Sequence, residues 1–437
     1  MERFAYNDLI KWKNSSYRKP LLLEGARQVG KTWLMQEFAK NEYSNVLYLN
    51  FEKDQKVKSF FGDNISPARI ITQLKGYFEI EITPNDTLLI LDEIQECQRA
   101  KDSLKYFNED APQYHIMAAG SFLGIAGGKF PVGQVNRLTL RPLSFYEYLL
   151  ATGQEIRLKT LQSGDKNIIA SLAGIYEEEL KKYFYIGGMP EAVAAFLESG
   201  SMKAVRETQN NILADYKDDF AKHISKNDIE KVRMIWDSIP GHLAKENKKF
   251  MYRGIREGAR SWNYENAMLW LIDTRLVFKV NKTENPTIPL IRNMERSAFK
   301  LFMLDIGLLS AKSNLDIKTF FDADYNVFNE FKGALAEQYV LQQLISLGIQ
   351  PFYWGRSRGN AEIDFIIQHG NSIVPIEVKS GDRTKSKSLN VYNERYNPKC
   401  QIRTSLKNQG IADTLYSIPL YMIESFADIL GTKLTNF

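Results

Sequence analysis

Leu21-Leu22-Leu23-Glu24-Gly25-Ala26-Arg27-Gln28-Val29-Gly30-Lys31-Thr32 joins a short apolar run to a glycine loop, and a helical pattern, Lys31 to Lys40, follows. The loop fits G-x-x-x-x-G-K-[ST], and its place after a strand and before a helix is the context that phosphate binding requires. The glycines let backbone N–H groups face a β-phosphate, and the helix N-terminus adds favourable partial charge. Lys31 would reach the β- and γ-phosphate oxygens, and the Thr32 hydroxyl would ligate Mg²⁺. Gly25, Ala26, Arg27, Gln28, Val29, Gly30, Lys31 and Thr32 are therefore candidate contacts to ATP or ADP.

Four more apolar runs lie within the first 150 residues: Val46-Leu47-Tyr48-Leu49, Leu88-Leu89-Ile90-Leu91, His115-Ile116-Met117-Ala118 and Arg137-Leu138-Thr139-Leu140. Helical patterns separate most of them, so the expected class is α/β with a buried parallel sheet. The third run ends in Asp92-Glu93. Asp92 could hold Mg²⁺ through water, and Glu93 could polarise the attacking water. Alone, two carboxylates ending a strand read equally well as a solvated turn. The next run ends in Ala119-Gly120-Ser121, where Ser121 could face a γ-phosphate or cap the following helix.

Composition narrows the class. With 437 residues the chain exceeds one core, and three or four units are expected. A hydrophobic fraction of 44% with 25% charged residues excludes a largely disordered or collagen-like chain. The net charge of +5 permits nucleic-acid binding without arguing for it. Cys97 and Cys400 are too few and too distant for a disulfide framework, and His115, His223, His242 and His369 are scattered. No signal pattern or membrane-length apolar run occurs, so a cytoplasmic protein with no membrane partner is expected.

Long helical patterns run from about Ile168 to Asp237, broken at Gly187-Gly188-Met189-Pro190. Short helical patterns follow, including a basic one at Tyr252–Arg260 and one opened by Asn263 as N-cap. A hairpin is then expected from Leu276–Val280 and Pro289-Leu290-Ile291, and helices followed by a hairpin suggest a winged helix. The helix-pair face Met268, Trp270 and Leu271 with Glu265 and Asp273 suits a structural or protein-binding role better than base reading. Beyond the polar stretch Ser313–Asn326, a helix Glu330–Leu347 is expected. Strands Phe352–Trp354, Ile363–Gln368 and Ile373–Val378, a helix near Leu389–Tyr396, and strands Gln401–Thr404 and Pro419–Ile423 would complete a smaller α/β unit.

In that unit Glu377 and Lys379 are two apart on one strand and share a face, with Asp364 on its neighbour and Glu337 on the preceding helix. Asp364 and Glu377 could hold Mg²⁺ near a phosphodiester, Glu337 could complete the shell, and Lys379 could stabilise developing charge. The spacing D-x12-E-x-K and the element order resemble the PD-(D/E)xK nuclease fold. A binding module on that fold, without cleavage, is the alternative. Basic residues nearby, Arg356, Arg358, Arg383, Lys385 and Lys387, could follow phosphates of DNA or lie in a solvated loop.

The run Arg18–Thr32, with Leu91-Asp92-Glu93-Ile94-Gln95, Ala119-Gly120-Ser121, Pro142-Leu143-Ser144-Phe145 and Gly187-Gly188-Met189-Pro190-Glu191, resembles a large bacterial and archaeal family of AAA-family ATP-binding proteins. That resemblance covers nearly the whole chain and implies a C-terminal domain of unknown function. It is also similar to signal-transducing ATPases, in which a glycine–x–proline turn of a helical lid touches adenine; Gly188 and Pro190 would line the base. The run Phe122–Gly128 is richer in glycine than the family pattern. Arg99, Arg137 and Arg141 all follow the sheet where an arginine finger could stand, but a plain surface residue is the commoner reading of each and no finger is assigned. The implied organisation is an AAA+ P-loop ATPase core (1–150), a helical lid (151–225), a winged-helix-like domain (226–312) and a nuclease-like domain (313–437). Mg-dependent ATP hydrolysis would be coupled to nucleic acid, with homo-oligomerisation open. The other reading is a nucleotide-switched interaction protein with an inert docking domain.

Overall fold

The five apolar runs of the N-terminal region form one parallel sheet in the computed structural model, which describes residues 1–62, 64–120, 131–321, 328–356, 359–380 and 387–434. Its strands are β1 (Leu21–Glu24), β2 (Asn45–Asn50), β3 (Thr87–Asp92), β4 (His115–Ala119) and β5 (Asn136–Thr139), in the order β2-β3-β4-β1-β5. β5 begins one residue earlier than expected. β3 and β4 are buried at every position, which is why they read as continuous apolar runs rather than alternating ones. Parallel pairing sets Leu22 opposite Ala118 on one side and Arg137 on the other. The carboxyl ends of β1, β4 and β3 therefore open on the same edge, where ligands bind in open α/β sheets.

The helix Lys31–Glu42 leaves the phosphate loop and buries Leu34, Met35, Phe38 and Ala39 on one stripe. A continuous core of Leu22, Leu49, Ile70, Leu89, Leu104 and Ile116, among others, unites the sheet with its helices. The chain forms two compact units: Met1–Arg141 with Asp273–Leu276, and Pro142–Ile272 with Val277–Phe437.

In the second unit, helices Ala173–Ile186, Pro190–Ser199, Met202–His223 and Lys226–Leu243 fill the expected helical region. An eight-stranded sheet follows: β6 (Val277–Thr283), β7 (Met294–Met303), β8 (Phe352–Gly355), β9 (Glu362–His369), β10 (Ser372–Val378), β11 (Gln401–Ser405), β12 (Gly410–Ala412) and β13 (Leu415–Pro419). The order is β12-β13-β11-β10-β9-β8-β6-β7. The hairpin expected as a wing thus joins the C-terminal strands in one sheet, through Lys282 opposite Tyr353 and Thr283 opposite Trp354.

Several expected elements move. Pro289-Leu290-Ile291 is not a strand: Leu290–Asn293 is a short 3-10 turn, and the second hairpin strand begins at Met294. Pro289 has no N–H for a ladder, and Leu290 is drawn instead into a cluster with Trp354 and Tyr392. Tyr252–Arg260 forms no helix beyond the 3-10 turn Tyr252–Gly254, since Gly258 adopts φ +76 and breaks it. Asn263 lies inside a 3-10 turn, Ser261–Tyr264, that runs into the helix Glu265–Asp273, so it caps nothing. The last strand is Leu415–Pro419, and the expected Pro419–Ile423 falls on the 3-10 segment Leu420–Ser425.

Candidate nucleotide site

The loop between β1 and the helix Lys31–Glu42 owes its path to particular backbone conformations. Gln28 (φ +64) and Gly30 (φ +93) lie in the left-handed region, and a β-carbon on Gly25 would collide with the Leu140 carbonyl oxygen. Lys31 Nζ donates to the carbonyls of Gly25 (3.0 Å) and Ala26 (2.7 Å), folding the ammonium along the inner side of the loop. Burial pulls its pKa down to about 8, against the opposing pull of Glu93 and Asp92. Thr32 Oγ1 donates to Asp92 Oδ2 at 2.8 Å, bringing together two motifs sixty positions apart. Tyr48 on β2 donates to the same oxygen at 2.7 Å, and burial raises the phenol to about 12, so it stays a donor at neutral pH. The Glu93 N–H donates to Asp92 Oδ1 (3.0 Å), which fixes the carboxylate. Glu93 itself turns through φ +51 and accepts from Gln95 Nε2 at 2.5 Å. A buried carboxylate beside a threonine hydroxyl is a donor set that fits Mg²⁺. Ser121 and the Phe122–Gly128 run lie outside the described residues.

Of the arginines considered as fingers, Arg99 donates to the Gly62 carbonyl (3.2 Å), and Arg137 pairs with Glu24. Arg141 is pulled down to about 10, first by burial and then by the charge of Arg275.

The second constellation does come together. Asp364 Oδ2 accepts the Val378 N–H (2.8 Å), and Lys379 Nζ donates to Glu377 Oε1 (2.6 Å). Lys379 stands just past β10, yet its N–H continues the ladder to the Thr404 carbonyl (2.8 Å). Glu337, on the helix Phe328–Ser346, lies beside Asp364. Its carboxylate is also gripped by Lys248 and by Lys300 (3.4 Å), and Lys300 reaches Glu362 at 2.6 Å. Burial works to raise Glu337, but the two lysines hold it down to about 2. Asp364 moves the other way: burial, then Glu337 and Glu377, drive it well above the usual carboxylate range. Glu377 Oε2 is buried without a partner among the described residues. As arranged, this cluster does not fit a divalent cation. Lys248 and Lys300 already pair with Glu337 and Lys379 with Glu377, and among the described residues no three His, Cys, Asp or Glu side chains are grouped to hold a metal. Arg358, Arg383 and Lys385 lie outside the described residues.

The Gly187–Pro190 turn is built for close approach. A β-carbon on Gly187 would strike Asp305 and Gly307, and one on Gly188 would strike the Leu143 backbone. Gly188 N–H donates to Asp305 Oδ2 (2.6 Å), and Leu143 N–H donates to the Gly188 carbonyl (2.6 Å). Pro190, partly exposed, starts the next helix, where its missing N–H costs nothing.

Residues 17–149 match a family model described as an AAA domain. The first unit carries an AAA domain. Beyond it, residues 177–319 and 332–423 match two domains of unknown function, DUF8612 and DUF4143. No curated protein matches the chain. Among solved structures, the Walker-type ATPase of Pyrococcus abyssi is 13% identical at a TM-score of 0.44, over 71% of this chain and 95% of that one. A STAND protein with a tetratricopeptide-repeat sensor from Pyrococcus horikoshii is 13% identical at 0.28, over 79% of this chain and 45% of that one. The Aeropyrum pernix ORC1 protein, solved with DNA, is 10% identical at 0.27, over 71% and 90%.

Three supports of the AAA domain escaped sequence reasoning: Tyr48, Arg3 and Arg275, whose guanidinium pairs with Glu24 just before the phosphate loop. Arg3 donates to the Val29 carbonyl (3.1 Å) and to that of Arg141 (2.5 Å), pinning the phosphate loop from the N-terminus. A tyrosine on the strand beside β3 carries a signal, since β2 pairs with β3 in register. Arg3 carries none. Among the described residues, no helix is long and apolar enough to cross a membrane.

Proposed function

We propose that the protein is an Mg-dependent ATPase whose AAA domain binds ATP at Gly25–Thr32. The observation that carries this reading is the Thr32–Asp92 bond beside Lys31, which assembles a cation for phosphate and an oxygen pair for Mg²⁺ at one sheet edge. Thr32 directly, and Asp92 through water, would hold Mg²⁺, which neutralises phosphate charge when bound. Lys31 exchanges its two loop carbonyls for β- and γ-phosphate oxygens. Glu93, just past β3, takes the proton of the attacking water. Ser121 is kept as a candidate γ-phosphate contact and Pro190 as the adenine contact, while the packing of Gly188 explains that glycine without a ligand. Equilibrium binding of fluorescent ATP with and without Mg²⁺, and phosphate release by the full chain, test the reading. A wild-type protein that binds no nucleotide would refute it.

A second observation bears on the C-terminal region. Lys248 and Lys300 occupy Glu337, so we read the nuclease-like cluster as a docking scaffold for nucleic acid or protein rather than a cleaving centre. Incubation of supercoiled DNA with Mg²⁺ or Mn²⁺ should give no nicking. Nicking that Asp364→Ala abolishes would restore the metal-dependent nuclease, with Asp364, Glu377 and Lys379 as its catalytic residues.

A further inference from the structure

The helix Glu265–Asp273 buries Trp270 and Leu271, but another of its faces is open. Glu265, Met268, Leu269 and Ile272 follow the i, i+3, i+4, i+7 spacing of one helical stripe and line a cavity of about 710 Å³. The other walls come from residues 249–253, from Trp262, and from β6 and β7, and all of them lie in the second unit. Phe250 and Phe299 stack at 5.5 Å and are buried, whereas Trp262 (68% exposed), Met251 (52%) and Leu269 (49%) stand open to water. Isolated exposed apolar side chains are ordinary, but three around one cavity within the size range of ligand sites mark a place of contact.

The charge of the cavity is one-sided. Lys249, Arg253, Lys279 and Arg296 line it against a single carboxylate, Glu265, and among the described residues none of the four cations is in an ion pair. Lys279 Nζ stands 4.3 Å over the Phe299 ring, half-buried, and burial lowers its pKa. Arg296 is aimed there by an irregularity in the sheet. The β6–β7 pairing passes from Asn281 opposite Phe299 to Lys282 opposite Glu295, so Arg296, Ser297 and Ala298 have no residue facing them on β6. Such a bulge gives up part of the ladder and re-aims a side chain.

We propose that this cavity is the docking site for an acidic amphipathic segment of a partner protein, which places large apolar side chains between the helix and Phe299 and sets its carboxylates against Arg253, Lys279 and Arg296. Two features favour a peptide over single-stranded nucleic acid. Much of the wall is aliphatic or thioether, from Met251, Met268, Leu269, Ile272 and Met294, which packs around apolar side chains rather than offering flat faces for bases. Glu265 would repel a phosphate but can accept a hydrogen bond from a peptide N–H. The exposed Trp262 at the edge suits an anchor that closes over the segment.

The test uses the full chain without nucleotide, so its outcome is independent of the ATP site. A displayed random library of peptides about twelve residues long, roughly three helical turns, is selected on wild type. Enriched peptides are then titrated by fluorescence anisotropy against wild type, Trp262→Ala and the double variant Arg253→Glu/Arg296→Glu. All three positions are exposed, and circular dichroism checks that the variants keep their fold. The selected peptides should combine Asp or Glu with large apolar residues, and raising the salt should weaken them. Each variant should lower their affinity about tenfold or more. No enrichment, enrichment of basic peptides, or peptides that bind both variants as they bind wild type would overturn the proposal. So would a fluorescent oligothymidylate that binds through the same residues and displaces the peptides, which would make the cavity a nucleic-acid site.

Discussion

Replacing Lys31 by methionine removes a charge at nearly constant length, and it should separate nucleotide affinity from stability. Lys31 is 8% exposed, and burial brings its pKa to about 8 from the ordinary 10.5. At pH 7 the ammonium is charged folded or unfolded, so the cost of burying it is fully felt, about 3 kcal/mol against folding. Methionine escapes that cost but leaves the Gly25 and Ala26 carbonyls without their donor, a loss of about 1–3 kcal/mol. Without nucleotide the variant should therefore be as stable as wild type or up to about 2 kcal/mol more so. With ATP at about a hundred times its Kd, wild type gains about 2.7 kcal/mol and the variant nothing. The sign with pH is definite. The folded pKa is depressed, so the contribution of Lys31 is lost as pH falls through about 8 and is complete above 10.5. Wild type should gain on the variant across that window. Thermal denaturation with and without Mg-ATP, at pH 7 and pH 9.5, measures all three. A variant that loses more than about 1 kcal/mol without nucleotide, or that ATP stabilises as much as wild type, refutes the reasoning.

Glu93→Gln should keep ATP affinity within about threefold while single-turnover phosphate release falls about 10²–10⁴-fold, the loss of a general base. Glu424, buried and accepting the Tyr146 N–H at 2.9 Å, is raised by burial to about 8, so its contribution is present below the unfolded value of 4.5 and is lost as pH rises through 8. Wild type should lose at most about 5 kcal/mol over that window, and Glu424→Gln should flatten the profile in urea titrations at pH 5, 7 and 8.5. Lys300→Met should cost about 3–5 kcal/mol, because it strips a fully buried partner from Glu337 and Glu362. Adding Glu337→Gln should recover part of that loss; an additive double mutant would show that the pair is not coupled.

Much of the AAA domain is written in short range. Apolar runs of three or four residues, a glycine loop and a carboxylate pair each carry their own signal, and the parallel sheet needs only their order. The second unit is less legible for reasons that can be named. The six consecutive buried positions Ala298–Met303 in β7 lack the alternation that marks a half-exposed strand, so the apolar residues beside Pro289 took its place in the reading. The partners of Glu337 were invisible because Lys248 and Lys300 lie 89 and 37 positions from it, and lysine is ordinarily solvated. Gly187 and Gly188 were conspicuous in sequence, but only the approach of Leu143 and Asp305 shows what their missing side chains are for.

The two charged constellations answer the same electrostatic problem in opposite ways. In the phosphate loop a buried ammonium is met by two carbonyl dipoles, which weaken its solvation penalty without cancelling its charge. On the proposed reading, an anion arriving there would complete the site, and Thr32 and Asp92 would share a cation with it. In the second unit the carboxylates Glu337, Glu362 and Glu377 are paired with the ammonium groups of Lys248, Lys300 and Lys379. Each of these carboxylates already has an ammonium partner. A divalent cation would have to expel a lysine whose burial is sustained only by the carboxylates it pairs with: burial alone would lower Lys300, yet Glu337 and Glu362 raise it above its ordinary value. The same residue types that make a hydrolytic centre when the lysines stand back therefore make a closed ionic knot here.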